Sequence, residues 1–146
     1  MPGKVDFHIR KQSGFETREL LACRLSEKAW RKGHRVLILA SDRRAASRID
    51  DRLWDFRDDS FVPHLTLEGE TTGSEIPLLV PVVIGIPGQW RDGIDVLIPL
   101  VLDVPEEAKG AARIVEIIPA DDNERQAGRR RYREYRRLGF SLETHS

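Results

Sequence analysis

The sequence predicts an α/β fold: a single domain over residues 1–146, with a mostly parallel central sheet and helices on both faces, Rossmann-like but without a nucleotide-binding loop. Three observations carry this. Segments of helical apolar spacing alternate with short apolar runs in the order strand, helix, strand, helix. The run RVLILA at 35–40 is continuously apolar and bounded by charges, as expected of a strand buried on both faces of a parallel sheet. A chain of 146 residues with no internal repeat and no long linker is large enough for one core and short for two.

Taken in order, KVDFHI (Lys4 to Ile9) alternates partly and is followed by the polar RKQSG, a strand and its turn. Phe15 to Arg31 recurs apolar at Leu20, Leu21, Leu25, Ala29 and Trp30, the spacing of a helix that ends at Gly33. After the buried strand at 35–40, Ser41 or Asp42 caps a second helix through Phe56, with Ala46, Ile49, Leu53 and Trp54 on one side. Residues 58–75 carry turn and loop chemistry. Ile76 to Ile86 is apolar but interrupted by Pro77 and Pro81, which predicts a strand near an edge. PGQWRDG turns into a strand over Ile94 to Leu100, Asp103 to Ala112 is a loop or helical turn, and RIVEII (Arg113 to Ile118) is the last strand before the final helix.

The final helix, DDNERQAGRRRYREYRRLGF over 121–140, carries the most interpretable chemistry. Asp121 or Asp122 caps it, the acids of its first turn suit the helix dipole, and Gly139 stops it. At about 100° per residue, Arg125, Arg129, Tyr132 and Arg136 share one stripe, and Gly128, Arg131, Tyr135 and Leu138 share the next. The second stripe is small and semi-apolar enough to rest on a sheet, leaving arginines beside a tyrosine on show. Guanidinium forks match carboxylates and phosphates, and an adjacent ring can wall an apolar pocket. A solvated, salt-bridged face has no use for Tyr132 in its middle.

Several function classes lose support. Lys+Arg and Asp+Glu both number 24, against a general nucleic-acid binder, although seven arginines fall between Arg125 and Arg137. The lone Cys23 cannot form an internal disulfide and reads as a small buried hydrophobe. With no long apolar run and no apolar signal region in MPGKVDFHIR, a cytoplasmic protein without membrane contact is expected. RKQSGF lacks both glycine-rich phosphate-binding patterns, so Asp42 is a cap rather than a ribose ligand and no cofactor is expected. The four histidines are scattered, no metal site is expected, and neither a nucleophile turn nor a carboxylate dyad supports catalysis.

Large apolar groups also sit at Leu53, Trp54, Phe61, Val62 and Pro63, either a cluster under a loop or an aromatic partner surface. Here, in LWDFRDDSFVPH (53–64), and again in RYREYRRLGFSL (131–142) and AWRKGHRVLILASD (29–42), the sequence resembles the chi subunit of bacterial DNA polymerase III. The likeness in length and motif order covers nearly the whole chain. It implies a non-catalytic clamp-loader accessory subunit, touching DNA only indirectly, that holds the acidic C-terminal tail of single-stranded DNA-binding protein and pairs with a psi subunit. By position, Ile118, Arg125, Arg129 and Tyr132 match the family's tail site, with Arg133 and Arg136 as electrostatic helpers. Trp54 and Phe61, with Val62 and Pro63, match the side used for psi and, in some bacteria, for a repair helicase. That tail is a run of aspartates ending in phenylalanine and a free carboxylate, chemistry that an arginine–tyrosine stripe suits. The competing reading is direct binding of single-stranded nucleic acid by the arginine helix.

Overall fold

A computed structural model of the chain describes residues 3–10, 17–56, 61–67, 80–90 and 93–145. Seven strands form one sheet: β1 (Lys4–Ile9), β2 (Val36–Ala40), β3 (His64–Thr66), β4 (Val82–Gly85), β5 (Val96–Leu100), β6 (Arg113–Ile118) and β7 (Ser141–His145). Their order across the sheet is β3-β4-β2-β5-β6-β1-β7, and every paired neighbour runs parallel. Parallel neighbours need crossovers, and α1 (Arg18–Arg31) carries the one from β1 to β2, α2 (Arg43–Asp55) the one from β2 to β3 and α3 (Asp122–Arg137) the one from β6 to β7.

The apolar alternation along the strands divides the core between the two faces. Val36, Ile38 and Ala40 of β2 pack with Leu21, Ala22 and Cys23 of α1 and with Ala46, Ile49 and Leu53 of α2. Leu37 and Leu39 point the other way, into a cluster with Val5, Phe7, Ile114, Ile118 and Tyr135 under α3. A strand that feeds both clusters must be apolar throughout, which is why VLILA is buried at every position.

The helix ends follow capping chemistry. Asp42 Oδ1 accepts from the Ala45 N–H at 2.8 Å, and Asp121 Oδ2 accepts from the Glu124 N–H at 3.0 Å. At the far end of α3, Gly139 adopts φ 89°, so that the Phe140 N–H reaches back to the Tyr135 carbonyl at 3.1 Å. Phe140 is then buried against Tyr135, and the chain is aimed back along the sheet.

Two expectations need correction. The sequence predicts no strand after the final helix, but β7 follows α3 and pairs beside β1, Lys4 opposite Ser141 and His8 opposite His145. Its sequence SLETH carries no apolar signal because it lies at the sheet edge, mostly exposed. The 58–75 stretch contains a strand, β3, which forms the opposite edge, so β4 lies one place inside it. The loop or helical turn expected over Asp103–Ala112 is there, as a 3-10 turn at Glu106–Gly110. The expected start of the first helix at Phe15, the polar run 68–75, Pro77 and the paired acids at 58 and 59 lie outside the described residues.

Candidate functional site

α3 is held on the sheet by a buried charged group that its residue types do not announce. Glu116 of β6 is fully buried, and its carboxylate accepts from Arg131 Nε at 2.9 Å and from the Tyr135 hydroxyl at 2.8 Å. Arg18, at the start of α1, reaches the same carboxylate at 3.6 Å and donates to the Pro99 and Val101 carbonyls at 2.9 and 3.1 Å. Burial pushes the Glu116 carboxyl upward, against the downward pull of Arg131, Arg18 and the Tyr135 hydrogen bond. Burial and the neighbouring Glu116 push the Tyr135 phenol well above its ordinary range, so it stays a donor. Arg131 donates a further bond to the Leu102 carbonyl at 3.1 Å. These bonds fix how α3 is rolled about its axis.

With Arg131 and Tyr135 turned down, the neighbouring stripe must line the helix edge. A groove of ≈ 390 Å³ opens there, lined by Arg125, Gly128, Arg129 and Tyr132 of α3, by Ile118, by Phe7 and Ile9 of β1, and by Thr144 of β7. Gly128 sets its depth. A Cβ there would lie 2.4 Å from Ile118 Cδ1, so only glycine lets the helix come this close to the strand without displacing that side chain. The Tyr132 ring packs on Phe7 at 5.1 Å between centroids, one face committed to the apolar wall. Arg125 donates one long bond, 3.4 Å, to the Arg10 carbonyl, while its buried Nε has no partner. Arg129 is exposed at the rim.

The structure thus brings together Ile118, Arg125, Arg129 and Tyr132, and it does not bring in the two helpers. Arg133 and Arg136 are exposed on α3 outside the groove lining. Phe7, Ile9 and Thr144 escaped the sequence reading. The alternation of KVDFHI, which sends Val5, Phe7 and Ile9 to one face, could have found the first two. Nothing marks Thr144 before β7 is known.

Across the molecule, Trp54 and Phe61 are 57% and 58% exposed with ring centroids 5.4 Å apart. His64 meets Trp54 edge-on at 4.9 Å, and its Nδ1 hydrogen-bonds the Val62 carbonyl at 2.7 Å. Val62, next to Phe61 in the chain, is fully buried, and Pro63 is half-buried. The surface that solvent meets is therefore aromatic. The described residues also gather Asp6, Glu143 and His145, which the sequence scatters. Arg113 at 2.9 Å and His145 at 3.0 Å already occupy the two oxygens of Asp6, and Lys4 holds Glu143 at 2.6 Å, a cation-filled arrangement that does not suit a metal.

Sheet and groove define a class: a parallel α/β protein able to hold an anionic group beside an apolar one, with no glycine-rich phosphate loop in its sequence. The profile described as DNA polymerase III chi subunit, HolC, matches residues 2–143. The DNA polymerase III subunit chi of Pseudomonas aeruginosa is 35% identical over 145 residues, covering 97% of this chain and 95% of the relative. Those of Escherichia coli K12 and Haemophilus influenzae are 36% and 33% identical, over 90% and 99% of this chain and 86% and 97% of theirs. The chain belongs to the DNA polymerase III chi subunit family, and its role is that of an accessory subunit in replication. None of the described helices is long and apolar enough to cross a membrane.

Proposed function

We propose that the chain is a single-domain, non-catalytic adaptor of the polymerase III clamp-loader assembly, and that the α3 groove holds the acidic C-terminal tail of single-stranded DNA-binding protein. The observation that carries this is the meeting of an unmet Arg125 donor, an exposed Arg129 and a Tyr132–Ile118–Phe7 apolar wall in one groove. The guanidinium groups pair with the terminal carboxylate and the aspartates while the final phenylalanine enters against Tyr132. Arg133 and Arg136 act at longer range, raising the local positive potential along the tail's approach.

Titration calorimetry with two peptides tests it: the acidic tail, and the same tail without its phenylalanine. Micromolar affinity, about −8 kcal/mol, is expected for the first and none for the second, with the first weakening as salt rises. Tyr132→Ala and Arg129→Ala each remove roughly 1 to 3 kcal/mol of that binding. Unchanged titrations for both variants would defeat the assignment. Binding of bare single-stranded DNA in place of the tail, with affinity that grows with strand length, would make α3 a nucleic-acid surface.

The exposed Trp54–Phe61 pair is the proposed seat of a psi-type subunit, or of a repair helicase that uses the same side. Val62, fully buried, and half-buried Pro63 follow Phe61 in the chain and anchor its end of the pair. Trp54→Ala is expected to abolish co-purification with such a subunit while leaving tail binding intact.

A further inference from the structure

Ala127, Gly128, Arg131 and Tyr135 are the buried side of α3, and its outer side carries four exposed arginines, Arg129, Arg130, Arg133 and Arg136. None of the four has a hydrogen-bond or ion-pair partner among the described residues. Glu134 is the only acid between Arg125 and Leu138, and Arg137 takes both of its oxygens, at 2.6 and 2.9 Å. Arg129 belongs to the rim of the α3 groove, whereas Arg130, Arg133 and Arg136 do not line it. These three, at steps of three, form a row that rises about 9 Å and winds over roughly 120° of the helix surface.

A surface kept merely soluble interleaves charges of both signs. The exposed arginines of α2 obey this: Arg48 lies 3.2 Å and Arg52 4.0 Å from Glu19 of α1. The outer side of α3 does not. In a chain of zero net charge, a row of unmet arginines is a local concentration rather than a consequence of composition. The row is also purely polar. Tyr132 is committed to Phe7 and Tyr135 is fully buried, and the exposed large apolar residues Trp54, Phe61, Leu65 and Leu102 all lie off α3.

We propose that the row Arg130, Arg133 and Arg136 is a contact for the phosphate backbone of single-stranded DNA, made in addition to the α3 groove and independently of it. Charge selects a polyanion, and the lack of any apolar side chain selects among polyanions. An acidic peptide is held by an anchor side chain as well as its charges, and the row offers no place for one. A phosphate chain needs no anchor, because each neutralised phosphate releases condensed counterions, and guanidinium forks fit its oxygens. A flexible strand follows a row wound round a convex helix, whereas the straight backbone of a duplex meets that helix along only a short line. Membership of a replication-subunit family brings such a strand within reach. The contact is direct, where the family resemblance implies an indirect one. With no ring for bases to stack on, it is weak, indifferent to base sequence and governed by salt.

The test is fluorescence anisotropy of labelled oligothymidines titrated with the whole chain at low and rising salt. Affinity is expected to grow with strand length and to fall with salt at a log–log slope of about −2, three contacts at roughly −0.7 each. Arg130→Ala with Arg133→Ala, both at exposed positions, should bring the slope to about −0.7 and weaken the strand about tenfold at low salt. Arg130→Ala alone should lower the slope by about 0.7 and leave affinity for the acidic tail within about twofold. Tyr132→Ala, which removes the ring of the α3 groove, should leave strand binding unchanged, so that failure of the groove and failure of the row appear in different arms. No strand binding at low salt, an unchanged slope in the double variant, or loss of strand binding in Tyr132→Ala overturns the proposal. So does an oligo-aspartate of equal charge that binds as tightly as the oligothymidine and displaces it, or a duplex of equal length that binds more tightly than the single strand.

Discussion

Replacing Glu116 by glutamine is the sharpest test of how α3 is held. The change keeps the side chain's shape and one acceptor but removes the charge that Arg131 and Arg18 both face at Glu116 Oε1. Arg131 is 2% exposed, and without Glu116 its remaining bond is the one to the Leu102 carbonyl, with Nη2 already lacking a partner. Breaking a buried pair by neutralising one member costs about 3 to 5 kcal/mol, because the other charge is left in a medium that cannot solvate it. The Leu102 bond and the partial exposure of Arg18 place this case toward the lower bound, so about 3 kcal/mol is expected. Urea unfolding should show it as a lower midpoint at unchanged slope, and heating as a drop of roughly 10 °C. Pairing Glu116→Gln with Arg131→Met removes both charges, and most of the loss should return. A cost below about 1 kcal/mol for Glu116→Gln alone would refute the claim that this network fixes the helix. It would mean that apolar packing of Tyr135 and Phe140 sets the roll of α3 unaided.

Other outcomes follow from single contacts. Gly128→Ala places a methyl 2.4 Å from Ile118 Cδ1, a side-chain end that can swing aside; the expected stability loss is about 1 kcal/mol or less, with tail affinity falling further as Ile118 is pushed into the groove. Matched urea and peptide titrations check this, and an unchanged affinity would show that groove depth is irrelevant. Acid should loosen β7 in two steps, because both groups concerned have depressed folded-state values. His8 contributes stability above about pH 6.5 that erodes as pH falls below it, burial and its cationic neighbours opposing the proton. Asp6 follows below about pH 4: burial alone would raise it, but its bonds to His145 and Arg113 outweigh burial, and that stability is lost as the carboxylate is protonated. Hydrogen exchange at 141–145 measured across this range checks the order; protection that rises on acidification would contradict it. Cys23, fully buried with its thiol pushed up to about 12, should resist alkylation at pH 8 until the chain unfolds. Labelling at the rate of the unfolded chain would show that α1 opens readily.

What the residues alone determined is what local periodicity and capping can encode. RVLILA read as a strand covered on both faces, caps were expected at Ser41 or Asp42 and at Asp121 or Asp122, of which the structure uses Asp42 and Asp121, and the arginine–tyrosine stripe was legible because the helical repeat is set by the backbone, whatever surrounds it. From that repeat came Arg125, Arg129 and Tyr132, which the structure sets around one groove. Contacts distant in sequence were beyond such reasoning. β7 has no apolar pattern, since an edge strand is specified by its partner's open hydrogen bonds rather than by its own side chains, and Thr144 enters the groove only through it. Glu116 looked like a lone polar interruption within the apolar run of RIVEII, and only folding sets Arg131, Arg18 and Tyr135 around it. The gathering of cations along α1 is likewise made by tertiary structure. Arg10, just past β1, and Arg113 of β6 lie far apart in sequence and come near Arg24, Lys28 and Lys32 only because β1 and β6 are neighbours beneath the helix. Charge patterning is visible along a chain when one helix carries it, and hidden when a parallel sheet assembles it from crossovers.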